Sequence, residues 1–150
     1  VKFISKIELT KGIPSISFNL KYGGGANIDR QDRKQAISEI INLGKRMHSN
    51  NWGAVIFAEG TRAKDGKIKP FQIGGITTLL KMCPNAQIVP VAIENSYAIV
   101  KKGMFPLGVF LPLRWTVLDP LSMENRSPEE LVNDAEMAIR QRLNQLEIPS

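Results

Sequence analysis

Apolar and polar positions along this chain switch between the strand period and the helix period, and the switches mark its elements. Residues 1–6 alternate well enough for a short strand. Lys11-Gly12-Ile13-Pro14 is a turn, and residues 15–22 read as a short helix packed by Ile16, Leu20 and Phe18. Gly23-Gly24-Gly25 stops it, and residues 26–28 make a brief strand. Asp32 is the expected N-cap of a helix reaching about His48, with Ile37, Ile40, Ile41, Gly44 and Met47 at helical spacing. A buried strand is expected over residues 52–57 and a short helix over 74–82, closed by Pro84-Asn85. Residues 87–94 read as a strand in which Pro90 marks an edge, a bulge or a start.

The second half continues the alternation. Residues 95–102 read as a loop, and 103–113 is the most apolar run in the chain. Its composition favours a buried strand with a lead-in loop over an acyl-chain groove or a segment dipping into a membrane. A strand follows over 114–118, so Trp52 and Trp115 are both assigned to strands. Ser127-Pro128-Glu129-Glu130 is a capping box with proline at the first helical position. Leu131, Ala135, Ile139, Leu143 and Leu146 then mark one face of a closing helix. Strands alternating with helices predict the α/β class, with a mixed central β-sheet flanked by helices in one domain over 1–150.

Composition changes this picture little, and charge changes it more. At 43% apolar and 23% charged, the 150 residues suit a folded chain rather than a disordered one. No run reaches the ~18 apolar residues of a membrane span. A single cysteine, Cys83, excludes an internal disulfide, forms no metal-ligand cluster with the one histidine, and reads as packing. The net charge of +6 is uneven: residues 1–75 hold 13 Lys/Arg against 6 Asp/Glu, whereas 76–150 hold 7 against 8. A basic half calls for an anionic partner such as a phosphate-bearing substrate, an anionic membrane surface or nucleic acid. Nucleic acid is set aside, because basic and aromatic residues do not interleave and no docking motif is present.

Candidate chemistry concentrates where buried strands end. Asp29-Arg30 follows the strand at 26–28, and Glu59-Gly60-Thr61-Arg62 follows the apolar run Ala54-Val55-Ile56-Phe57. In open α/β sheets that edge is where ligands bind. A guanidinium pairs with phosphate through two parallel hydrogen bonds, which an ammonium does not imitate. Two arginines from separate strand ends are placed to grip one phosphate. Thr61 adds a hydroxyl, and Gly60 lets backbone N–H groups approach an anion. Glu59 is assigned to orient Arg62 or to bind a substrate hydroxyl, while Lys64, Lys67 and Lys69 strengthen the positive field. The competing readings are a turn with a surface ion pair at 59–62, and a helix-start salt bridge joining Arg30 to Asp29 and Asp32.

Order and spacing favour the site. Gly24-Gly25-Ala26-Asn27-Ile28-Asp29-Arg30, Phe57-Ala58-Glu59-Gly60-Thr61-Arg62-Ala63 and Val89-Pro90-Val91-Ala92-Ile93 occur in that order. With Lys69-Pro70-Phe71-Gln72-Ile73-Gly74 between the last two, the chain resembles the 1-acylglycerol-3-phosphate acyltransferase family over roughly residues 2–94. Asn27, Ala58 and Ala63 replace the family's usual Phe, Pro and Ser, so the shape of the pocket differs while every charged group is kept.

The resemblance implies a glycerolphosphate-acyltransferase-like sandwich. It also implies transfer of a fatty acyl group from acyl-CoA or acyl-carrier protein to a lysophospholipid or glycerol-phosphate acceptor, with no cofactor and no metal. Glu59, Gly60, Thr61 and Arg62 would bind the acceptor's phosphate end, with Arg30 contributing. The family's catalytic Asn-His-x-x-x-x-Asp block would precede residue 1, so a domain incomplete at its N-terminus is expected, inactive as this stretch alone. His48 lacks an aspartate at that spacing and sits at a helix end, which makes it a surface histidine. The expected location is the cytoplasmic face of a membrane, peripheral or anchored through the missing part, with Lys101-Lys102 near anionic headgroups. The alternative is a non-catalytic relative that binds anionic lipid.

Overall fold

The longest element in the first half is built from a run of good helix formers behind a cap. Asp32 Oδ1 accepts a hydrogen bond from Gln35 N at 3.0 Å, and helix α2 then runs over Arg33–Asn50. Asn51 ends it in the left-handed conformation, φ 53°, with its N–H bonded back to the Met47 carbonyl. In the computed structural model, residues 1–11, 14–61, 63, 65–101 and 108–146 are described. They fall into two compact units, Val1–Ala58 with Ile73–Ala86, and Glu59–Gln72 with Gln87–Ser150.

The first unit is a small parallel sheet with helices. Strands β1 (Lys2–Lys6), β2 (Ala26–Ile28) and β3 (Ala54–Val55) lie in the order β2-β1-β3. Ile4 pairs with Ala26 on one side of β1, and Lys2 pairs with Ala54 on the other. Parallel neighbours require crossovers, which helices α1 (Pro14–Tyr22) and α2 supply. A 3-10 turn at Ile7–Thr10, which the periodicity does not mark, leads toward α1. Helix α3 (Ile73–Met82) packs on α2, and Ile40, Leu43, Met47, Leu79, Cys83 and Ala26 form the buried core. Cys83 is therefore packing, as expected. The turn expected at residues 11–14 lies partly outside the described residues.

The second unit holds an antiparallel pair, β4 (Val91–Glu94) with β5 (Arg114–Val117), in which Ile93 faces Trp115. Helix α5 (Pro128–Arg142) opens with the predicted capping box, Ser127 Oγ accepting from Glu130 N and Glu130 Oε2 from Ser127 N. The α/β class stands, with parallel and antiparallel pairing both present.

Several expectations shift. The strand expected over 52–57 is shorter, since its ladder with β1 joins only Ala54 to Lys2 and Val55 to Phe3; Trp52 precedes the strand. The strand expected over 87–94 begins after Pro90, which has no N–H for a ladder. Residues 95–102 are not all loop, since Ser96–Ile99 form one helical turn, α4. Of the apolar run at 103–113, residues 103–107 lie outside the described set, and the remainder is not a buried strand. Val109 and Phe110 are exposed, and Phe110 at φ 57° breaks extended backbone. On α5, Leu131 and Ala135 are buried as predicted, but Leu146 is exposed because the helix has ended and Asn144 turns left-handed at φ 54°.

Candidate functional site

Glu59 opens the second unit, and the backbone turns sharply at Gly60, φ +69°. An L side chain is strained there, which is why the segment needs glycine. The turn folds residues 59–61 toward residues 67–69. Glu59 Oε2 accepts from Lys69 N at 3.0 Å, and Lys69 Nζ donates to Thr61 Oγ1 at 3.1 Å. Asp65 Oδ1 accepts from Lys67 N at 3.0 Å, closing the tip of the loop, and that N–H holds the exposed Asp65 carboxyl below its ordinary range. Lys69 thus touches the motif itself, beyond thickening the local field.

Burial pushes the Glu59 carboxyl above its ordinary value of 4.5. The Lys69 N–H and the charges of Lys69 and Arg140 pull the other way, while Glu136 adds to the rise. The native carboxyl therefore keeps its proton to higher pH than the unfolded one. Stability relative to Glu59→Gln is expected to fall as pH rises from 4.5 through the raised value. Urea midpoints of the two proteins at about pH 4 and about pH 7 check this. A difference that stays constant, or that moves in favour of the wild type at the higher pH, contradicts burial as the dominant influence.

Arg62 and Lys64 lie outside the described residues. Arg30 lies in the first unit, exposed beyond the end of β2. The helix-start salt bridge considered for it does not form. Asp29 Oδ1 accepts instead from Gln31 N at 2.8 Å, and Asp32 caps α2. No carboxylate pairs with Arg30 among the described residues. Gln35 fastens the chain just before Arg30, its Oε1 accepting from Asp29 N at 2.8 Å and its Nε2 donating to Asn27 O at 3.0 Å.

The backbone leading to Arg30 is set by close approach. A Cβ on Gly25 would lie 2.4 Å from the Phe3 carbonyl oxygen, so only glycine lets β2 enter the sheet beside β1. Asn27, where the resembled family has Phe, is used structurally. Its Nδ2 donates to Leu20 O at 2.7 Å, and its Oδ1 accepts from Ser5 Oγ at 2.9 Å. His48 is exposed in the last turn of α2, as read from the sequence.

Sequence reasoning passed over the residues that hold the 59–72 segment from the C-terminal side. Glu136 Oε2 accepts from Phe71 N at 2.9 Å, and Gln145 Oε1 accepts from Ile68 N at 2.8 Å. The four-residue spacing of Glu136 and Arg140 was readable, but it is also the spacing of an ordinary exposed helix pair. Among the described residues, no helix is long and apolar enough to cross a membrane.

Residues 1–94 match the acyltransferase family. A 1-acyl-sn-glycerol-3-phosphate acyltransferase of Limnanthes douglasii is 25% identical over 104 residues, covering 69% of this chain and 36% of that protein. The human 1-acyl-sn-glycerol-3-phosphate acyltransferase beta is 34% identical over 88 residues, 57% of this chain and 31% of that protein. The chloroplastic 1-acyl-sn-glycerol-3-phosphate acyltransferase BAT2 of Brassica napus is 32% identical over 104 residues, 68% and 28% respectively. The chain thus spans only about a third of the length of these curated relatives. No solved structure matches. The family match covers more than half of the 150 residues and includes Arg30 and residues 59–62, so this chain belongs to the acyltransferase family.

Proposed function

We propose that this chain carries the phosphate-holding part of an enzyme that acylates a lysophosphatidic-acid-like acceptor. The observation that carries this reading is the held turn at Glu59-Gly60-Thr61, with Lys69 drawn onto Thr61 immediately before Arg62. A guanidinium in the same short motif as a fixed hydroxyl and ammonium suits a phosphate monoester better than a neutral ligand. The names of the relatives point to the same acceptor class. Arg30, unpaired with any described carboxylate, is assigned a supporting contact.

In the proposed reaction, a free hydroxyl of the glycerol backbone attacks the thioester carbonyl of acyl-CoA or acyl-carrier protein. The new C–O bond forms, the C–S bond breaks, and the hydroxyl proton passes through a base to the departing thiolate. His48, the one histidine here, is given no part because it sits exposed at a helix end. The base is assigned to the histidine of the Asn-His-x-x-x-x-Asp block, which these 150 residues do not contain. Its aspartate would hold the imidazole as in a hydrolase triad, without a covalent serine. Residues 59–62 and Arg30 bind and orient, and require no metal or cofactor. A lipid acceptor places the work at a membrane surface, for which the cytoplasmic face is proposed.

The test is acyl transfer by the complete protein from an acyl-CoA to 1-acyl-sn-glycerol 3-phosphate, followed by thiol release. Release that requires this acceptor and is lost with phosphate-free monoacylglycerol supports the reading. Equal use of both acceptors overturns it. Binding to anionic liposomes without any transfer overturns it in favour of the lipid-binding alternative.

A further inference from the structure

Residues 59–61, 63 and 65–71 belong to no helix or strand. A segment of that length without ladder or helix bonds is free to take many shapes unless side chains fix it. Here they do, and the ones that reach in from far along the chain come from α5 and the turn after it. Gln145 grips the segment twice, with Oε1 accepting from Ile68 N at 2.8 Å and Nε2 donating to Gly66 O at 3.0 Å. Glu136 Oε2 takes Phe71 N at 2.9 Å. Lys69 N, between these points, goes to Glu59.

Behind both grips stands Arg140, 1% exposed. Its Nε and Nη2 each lie 2.8 Å from Glu136 Oε1, and Nη1 reaches the Gln145 carbonyl at 3.5 Å. The Arg140 carbonyl in turn accepts from Gln145 N at 2.8 Å. A buried guanidinium is a poor choice if bulk stability alone is needed, since apolar side chains of similar volume commonly serve as well or better. What it adds is direction: the Glu136 carboxylate is held in one orientation and the Gln145 backbone is held in place, and the Glu136 and Gln145 side chains then hold the backbone of the segment. All three residues lie beyond the family-matched span of 1–94.

We infer that Glu136, Arg140 and Gln145 are positioning residues, through which the C-terminal helix sets the shape of the acceptor-phosphate loop. The inference rests on the phosphate-binding reading of residues 59–62. Gln145 and Glu136 fix residues 66–71, and Lys69 carries that placement to Thr61, the neighbour of Arg62 in the sequence. Substrate contact belongs to the loop, and the helix acts through it.

The experiment measures steady-state kinetics of the complete protein with 1-acyl-sn-glycerol 3-phosphate and an acyl-CoA. Gln145→Ala removes both grips and is expected to raise the acceptor KM about tenfold, with kcat and the acyl-CoA KM changed less than about twofold. Glu136→Gln keeps an acceptor for Phe71 N–H and is expected to retain most of the affinity that Glu136→Ala loses. Because the helix is held to act through the loop, adding Gln145→Ala to Arg62→Ala should cost less than about twofold further. Should Gln145→Ala not fold, Gln145→Glu, which keeps the acceptor and loses the donor, takes its place. An unchanged acceptor KM in folded Gln145 variants overturns the inference, as does a full tenfold loss on top of Arg62→Ala. If Arg62→Ala itself leaves the acceptor KM unchanged, the phosphate-binding reading is what fails.

Discussion

Arg62→Ala in the complete protein is expected to raise the KM for a 1-acylglycerol 3-phosphate about a hundredfold while leaving the acyl-donor KM unchanged. Cutting one partner from a hydrogen-bonded charge pair shielded from water costs about 2–5 kcal/mol. A value near ~3 kcal/mol corresponds to about two decades in affinity. Arg62→Lys is expected to restore only part of the loss, because an ammonium is a point charge and lacks the two-pronged geometry. Arg30→Ala measured beside it shows whether both arginines share the phosphate; a double variant no worse than Arg62→Ala would assign the contact to Arg62 alone. The outcome that removes Arg62 from the site is an acceptor KM within experimental error of the wild type.

Gly44→Ala should destabilise the first unit by about 2 kcal/mol, although helix propensity alone assigns a gain of roughly 1 kcal/mol to that change. Gly44 is buried on α2 where α3 crosses it, and an added Cβ would lie 2.5 Å from the Met82 Cβ. That neighbour is anchored directly to its own backbone, so relief requires the two helices to separate. Separation would open contacts around Leu43 and Leu79, both in the core. Gly44→Val, with two more methyl groups, is expected to cost more. Urea unfolding followed at Trp52, which packs against the same core, reads the effect as a lower midpoint at constant slope. A midpoint at or above that of the wild type would mean that α2 and α3 do not approach this closely.

The two substitutions differ in what made them visible. Arg62 is marked by its neighbours in the chain. A strand-like apolar run ending in Glu-Gly-Thr-Arg, ordered with Asp29-Arg30 and Val89-Pro90-Val91, is a local signal that needs no knowledge of packing. Gly44 was readable only as a small residue on the apolar face of α2. That it is the contact point with Met82 depends on how α3 crosses, and no periodicity encodes that.

Sequence by itself determined the elements whose causes are local. Asp32 and the Ser127–Glu130 box start their helices because their side chains satisfy N–H groups two or three residues away. Pro90 delays β4 because it has no N–H to give. Glu59-Gly60-Thr61-Arg62 stood out because a carboxylate, a glycine and a guanidinium are unusual directly after a buried run. Tertiary structure decided the rest. It shortened the strand at 52–57 to Ala54–Val55, the two residues that pair with β1. It left Val109 and Phe110 exposed despite their apolar neighbourhood, because hydrophobicity selects burial only where another surface is there to cover it. And it joined Glu59, Lys69, Phe71, Glu136, Arg140 and Gln145 into one hydrogen-bonded support. The hydrogen bonds of that support join residues up to 79 apart, and bonds at that separation follow from the folded path of the chain rather than from any local pattern.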